Sequence, residues 1–429
     1  MTIVLATLAF LILLALGLDV GFSMIVAAIL GMLLHPSGGI DLVTVPLTLV
    51  SAVDSEALVA VPLFVLAGEI MNQGGLTRRL IDWSMTIVGH LRGALSQAAM
   101  ATNLVMAGIS GSAVSDATAT GAILIPAMKE EGYKSSYAAA VIAAGAMLGP
   151  IIPPSIPMLV YAIMANLSIG RLFLAGVMPG LLLFAGYVAL CGVIARRRGY
   201  HARTRSSWAE RLQATRVASW ALLVPVLIIL GIRSGWVTET EAAGVICVYA
   251  LVVGLLIYRD LRWQELGTVF FEAARTSGVI LFLLAAAGPF SWLMSESHIA
   301  TQIAQSILGV SSDALVVLAV VNVMLLLAGM VFEPLPALVI FVPTLLPIQA
   351  QLGIDPIHFA TVVIVNLMIG MLHPPVGLLV LITAAIGRSS PWAVAWETLP
   401  FLAWSLVVLL LISVFPAISL WLPDLLIPG

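Results

Sequence analysis

The chain has 429 residues, of which 61% are apolar and only 9% charged, with a net charge of -3 and a mean hydropathy of +1.14. Such a composition excludes a soluble domain, leaves no room for a catalytic globule, and, without a basic run among aromatics, excludes a nucleic-acid partner. The two cysteines, Cys191 and Cys247, both sit in apolar runs and read as small buried hydrophobes, not as a disulfide or a metal pair.

A hydrocarbon core about 30 Å thick takes about 20 apolar residues per helical crossing, and blocks of that length from Thr2 to Leu422 allow about ten or eleven crossings. The first block has no Lys or Arg before Arg78, so it lacks the positive flank of a secretory signal and reads as a true membrane segment. Next comes 76–92, where Arg78, Arg79 and Asp82 alternate with Leu80, Ile81 and Trp83. This pattern predicts an amphipathic arm helix along the cytoplasmic surface, linking fixed and mobile parts.

From Gly93 the chain is apolar to Ile109, meets the small polar stretch SGSAVSD at 110–116, and is apolar again to Met128. Each arm of about 15 to 17 residues reaches roughly 22 to 26 Å, short of a full crossing, which predicts a re-entrant hairpin with its tip in mid-membrane. The stretch LGPIIPPS at 148–155 then breaks the next helix, because adjacent prolines remove donors and clash with the preceding turn. In lipid the freed backbone groups must find protein, water or ligand partners, so the break is a candidate ligand site.

A basic loop at 196–216 anchors the cytoplasmic side. Counting crossings from it leaves only Arg171 and Arg233 of the 18 Lys and Arg outside, with both termini in the periplasm. A second hairpin is expected at 313–349, with its tip at AGMVFEP (328–334), followed by a second break at IGMLHPP (369–375). His298, Glu296 and His358 are expected at interfaces, and most tryptophans in an aromatic belt.

The two regions repeat at an offset of 221 residues, at which Pro126, Gly132, Gly149, Pro153 and Pro154 meet Pro347, Gly353, Gly370, Pro374 and Pro375. Five crossings separate the copies, so the second is inverted. The predicted fold class is therefore an all-α polytopic membrane protein of two inverted repeats, each with a re-entrant helical hairpin and a Pro-broken transmembrane helix. Paired broken helices in inverted halves point to a secondary transporter with a midplane site.

Carbonyls released at a break, with side-chain hydroxyls, suit a hard monovalent cation, and the helix N-terminus beyond it suits a carboxylate. The first tip offers Ser110, Ser112, Ser115, Asp116 and Thr118 near Gly149 and Ser155. Gly329, Glu333 and Pro334 of the second tip lie near Asn366, Gly370 and His373. One sodium ion is expected in each hairpin and broken-helix pair, with a small organic anion between them at Ser115, Asp116, Ser155, Glu333 and Asn366. Asp116 and Glu333 either contact ion or substrate, or satisfy the free amides of their own tips. His373 either titrates or caps a carbonyl.

At 109–116 (ISGSAVSD), 125–129 (IPAMK) and 149–157 (GPIIPPSIP) the chain resembles the large membrane subunit of tripartite ATP-independent periplasmic (TRAP) transporters. The likeness continues through TETEAA at 238–243 and GIDPIHF at 353–359, and so covers essentially the whole chain. It implies a sodium-driven carrier of the bacterial inner membrane with a scaffold and an elevator-type transport domain. It also implies two partners, a small four-helix membrane subunit and a periplasmic substrate-binding protein. On this reading 1–75, 171–294 and 389–429 are scaffold, 76–92 and 295–312 are arms, and 93–170 and 313–388 form the transport domain. The family's sodium role is carried to Ser110, Ser112, Gly149, Ile152, Pro153, Gly329, Gly370 and His373. The chain departs from the family pattern at Ser115, where alanine is usual, at Glu239, where proline is, and at Glu333, near where an aspartate is common.

A divalent-anion or citrate-type sodium symporter working without a binding protein is the rival transporter, but neither tip carries its Ser-Asn-Thr signature. An intramembrane metalloprotease would need His-Glu-x-x-His, which is absent. A channel would show uncoupled flux.

Overall fold

This computed structural model describes residues 2–34, 42–234, 237–297, 305, 313–374 and 377–427. Among them are nineteen α-helices and no strand, and eight helices are long and apolar enough to cross a membrane. The arm expected at 295–312, with His298, and the second proline of the second break, Pro375, lie outside the described residues, apart from 295–297 and 305.

One group of helices packs around α13 (Leu266–Glu296). It comprises α1 (Thr2–Ala15), which lies on α2 (Val20–Leu33), together with α3 (Thr44–Ser51), α4 (Ala60–Gln73) and α12 (Glu239–Val252). The starts of α2 and α12 are written locally. Asp19 accepts from the Gly21 amide, and Thr238 and Glu241 form a reciprocal capping box.

Most of the remaining helices form the repeats. The first contains α6 (Ala94–Ser110), α7 (Ala113–Glu130), α8 (Ser135–Ala146), α9 (Ile156–Met164) and α10 (Ile169–Arg198). Its mates are α14 (Ala314–Val331), α15 (Pro334–Leu352), α16 (Pro356–Gly370), α17 (Leu378–Gly387) and α18 (Pro391–Val414), followed by α19 (Ala417–Leu426). The starting positions 94, 113, 135, 156 and 169 pair with 314, 334, 356, 378 and 391, so the offsets are 220, 221, 221, 222 and 222. The copies interlock by exchange: α9 packs on α15 as α17 packs on α7, and α10 packs on α16 as α18 packs on α8.

The exchange involves α10 and α18, which fall largely within the segments 171–294 and 389–429 expected as scaffold. Helices α10 and α18 pack on each other and on the broken helices, and α10 also reaches α4, where Phe173 meets Phe64 with ring centres 6.4 Å apart. Small residues decide this packing. A Cβ at Gly176 would collide with the Ile151 carbonyl oxygen, and one at Gly186 with the Trp404 indole. Hydropathy sets a crossing helix in lipid and is silent on which neighbour it touches.

The two hairpins differ in their arms. The first hairpin's arms, at 17 and 18 residues, are not among the eight crossing helices, α7 carrying Asp116, Lys129 and Glu130, whereas the more apolar α14 and α15, at 18 and 19 residues, are.

The predicted arm is α5 (Leu76–Val88), which buries Leu76, Thr77, Leu80, Ile81 and Ser84 against α6 and α11 (Trp208–Ser234) and leaves Arg78 and Asp82 exposed. Arg79 fixes its start by pairing with Asp260, donating to the Gly75 carbonyl at 2.9 Å and stacking 3.9 Å from the Tyr258 ring centre. At the far end the Arg203 amide donates to the Gly89 carbonyl at 2.9 Å, while the Arg203 guanidinium pairs with Glu131 at the base of the first hairpin. The segment between α10 and α11 is thus strapped across this face of the molecule.

Candidate functional site

The first tip is built by a glycine and a serine. Gly111 (φ +61) ends α6 in the left-handed region that a side chain resists, and Ser112 is extended and caps α7, accepting from the Ser115 amide at 3.4 Å. The Ser112 amide donates to Ser110 Oγ at 3.2 Å, and Ser110 Oγ donates to Asp116 Oδ1 at 2.5 Å. Thr120 Oγ1 donates to the Asp116 carbonyl at 2.6 Å. Asp116 therefore does not bond the amides of its own tip, because the Ser112 hydroxyl does.

The break packs directly behind this tip. After α8 the chain turns through 147–155; the Ile151 and Ile152 amides share the Leu148 carbonyl, and Ser155 Oγ donates to the Pro150 carbonyl while capping α9. A Cβ at Gly111 would stand 2.5 Å from the Pro154 carbonyl oxygen, and one at Gly149 would stand 2.7 Å from Asp116 Oδ2. Only glycine allows either approach. Asp116 is fully buried, and its Oδ2 has no hydrogen-bond partner among the described residues. A buried ionised carboxylate oxygen needs a positive partner. With the Ser110 hydroxyl and backbone carbonyls beside it, the donor set is all oxygen, which fits a hard cation such as sodium.

In the second repeat Phe332 and Glu333 turn the chain and Pro334 opens α15; the Glu333 side chain makes no capping bond, so it too leaves its own tip amides alone. Gly329 meets Gly370 backbone to backbone, for a Cβ at Gly370 would stand 2.5 Å from Gly329 Cα. Asn366 Nδ2 donates to Asn322 O at 2.9 Å and to Asn322 Oδ1 at 2.8 Å, leaving Asn366 Oδ1 buried and unpartnered among the described residues. His373 Nδ1 lies 2.6 Å from the Pro374 carbonyl, so this nitrogen carries the proton and caps the break.

The two tips meet at one cavity of ≈ 540 Å³. Ser110, Ser112, Ser115 and Thr118 line it from the first tip, Glu333, Pro334 and Leu335 from the second, and Pro150, Ile156 and Met371 from the breaks. Its far wall is formed by α4 with Val65, Gly68, Glu69 and Asn72, and by α13 with Glu272, Arg275, Thr276, Val279, Ile280 and Leu283. Most of these residues lie in the second half of α4 and the first half of α13, toward the ends joined to Arg78, Arg79, Arg259 and Arg262. By the positive-inside rule the cavity faces the cytoplasm.

Of the residues singled out from sequence, Ser110, Ser112, Ser115, Thr118, Glu333 and Pro334 share the cavity. Asp116, Gly149 and Ser155 lie behind the first tip, and Gly329, Asn366, Gly370 and His373 behind the second; Ile152 and Pro153 do not line the cavity either. Sequence reasoning missed the far wall. Glu69, Glu272 and Arg275 interrupt apolar helices, and that interruption is the signal that could have found them.

Residues 7–418 match the family described as tripartite ATP-independent periplasmic transporter, DctM component. The chain is 36% identical over 409 residues to the sialic acid TRAP transporter large permease protein SiaM of Vibrio cholerae, covering 95% of each. It is 39% identical over 367 residues to the C4-dicarboxylate TRAP transporter large permease protein DctM of Pseudomonas aeruginosa, covering 86% of each. Among solved structures, MtrF of Neisseria gonorrhoeae has the same fold at 14% identity, with a TM-score of 0.63 over 91% of this chain and 85% of that one.

Proposed function

Since the chain belongs to the DctM family of large permease subunits of tripartite ATP-independent periplasmic transporters, we propose that it imports a small organic carboxylate by sodium symport across the bacterial inner membrane. The observation that carries this reading is the unpartnered, buried Asp116 Oδ2 behind a tip whose other side lines the cavity. A cation held there braces the tip, and the braced tip presents Ser112 and Ser115 to the cargo. Transport is then coupled, because the cavity wall is complete only with the ion in place. The hairpin body moves against α4 and α13 in an elevator-type exchange. A periplasmic binding protein delivers the acid, and a small four-helix membrane subunit completes the scaffold. The carboxylate class is supported by the relatives named for sialic acid and for C4-dicarboxylates.

The test is uptake into proteoliposomes holding this chain and its small subunit, with the binding protein outside. Uptake of labelled acid is expected to fall to background without an inward sodium gradient and without the binding protein. Uptake indifferent to both would refute the reading. Uptake that needs sodium but not the binding protein would favour the divalent-anion or citrate-type symporter.

A further inference from the structure

The far wall of the cavity is electrically lopsided. Glu69, Glu272 and Glu333 face it, and Arg275 is the single positive group among the described lining residues. Arg275 lies nine residues into α13, about 14 Å along a helix that lines the cavity and beyond the basic loop before it. Its one ion-pair partner among the described residues is Glu272, at 3.7 Å and one turn away, with the two side chains 70% and 43% exposed. So open a pair is weak and readily exchanged. A guanidinium, by contrast, binds a carboxylate through two parallel hydrogen bonds.

Helix α13 belongs to the group built around α1–α4, whereas the serines across the cavity belong to the hairpin body. A residue on the fixed wall meets the cargo only in the conformation that opens on its side. We propose that Arg275 is a release-side binding residue: it exchanges Glu272 for the carboxylate of the transported acid and sets the affinity with which that acid is held before it leaves for the cytoplasm. This proposal rests on the carrier reading above.

The experiment reads the inner affinity directly. Proteoliposomes carry the chain with its small subunit, and the binding protein is outside, so only molecules of one orientation work. They are preloaded with increasing succinate or N-acetylneuraminate, and inhibition of sodium-driven uptake of the same labelled acid is measured. Arg275→Gln is expected to raise the half-inhibitory internal concentration about tenfold, with half-saturation by external binding protein changed less than twofold. Arg275→Lys should restore part of the loss, since it keeps the charge but not the paired donors. Glu272→Gln, an exposed change compatible with folding, should lower the internal concentration severalfold by removing the competitor. An internal constant within twofold of wild type in Arg275→Gln, or unchanged or raised in Glu272→Gln, overturns the role of Arg275 while leaving the carrier reading intact. A wild-type complex that takes up neither acid under a sodium gradient overturns both.

Discussion

Asp116→Asn is expected to cost the protein its response to sodium while leaving its fold in place. Asparagine has the same shape, and its Oδ1 still accepts from Ser110 Oγ, so the tip keeps its internal bonds. What goes is the negative charge beside the Asp116 oxygen that has no hydrogen-bond partner among the described residues and that faces Gly149. An ion that binds only the folded state at a hundredfold over its dissociation constant stabilises by about 2.7 kcal/mol. The wild-type melting temperature in detergent should therefore rise by several degrees between potassium and sodium chloride of equal strength, and that rise should vanish in Asp116→Asn. In proteoliposomes the half-saturating sodium concentration should increase more than tenfold. A variant with the full sodium shift would mean that Oδ2 faces a proton or a water and that the ion sits elsewhere.

The second large effect is one of packing. Gly370→Ala invites use as a test of ion binding, because Gly370 stands at the second break. Its Cβ, however, would stand 2.5 Å from both Cα and C of Gly329, and backbone cannot rotate away as a side chain can. The expected result is a loss of about 1–3 kcal/mol, with a lower melting temperature in sodium and potassium alike. Gly278→Ala on α13 is the control: nothing lies within 4 Å of its Cβ, and alanine in place of a helical glycine should stabilise by up to about 1 kcal/mol. Should Gly370→Ala melt like wild type in potassium and lose only the sodium increment, the contact is softer than it looks and the residue does bear on the ion.

The hairpins and breaks were legible because they are written in local chemistry. The expected tip at 110–116 contains the observed turn at Gly111 and Ser112, and the expected break at 148–155 lies between Ala146 and Ile156. Likewise 328–334 contains the turn at Phe332 and Glu333, and the second helix ends at Gly370. Glycine, serine and proline dictate backbone, and backbone is what a sequence states most directly. Partnership is a different matter. That α10 and α18 belong with the repeats follows from the offset continuing through 169 and 391, but the identities that reveal it thin out beyond the breaks. That Asp116 turns toward Gly149 and away from the cavity depends on a contact between segments more than thirty residues apart, which no local pattern encodes. Arg275 was counted as a marker of sidedness because a charge near a loop predicts topology whether or not it also faces a pore.

The link between α5 and α6 carries a mechanical consequence. Only residues 89–93 separate them, and five residues fully stretched span at most about 17 Å. The leash between α10 and α11, residues 199–207, could pay out to roughly 30 Å. The shorter tether governs the stroke. Any displacement of the hairpin base beyond its reach must swing α5 like a lever, pulling the Gly89 carbonyl from the Arg203 amide and Trp83 from Thr215.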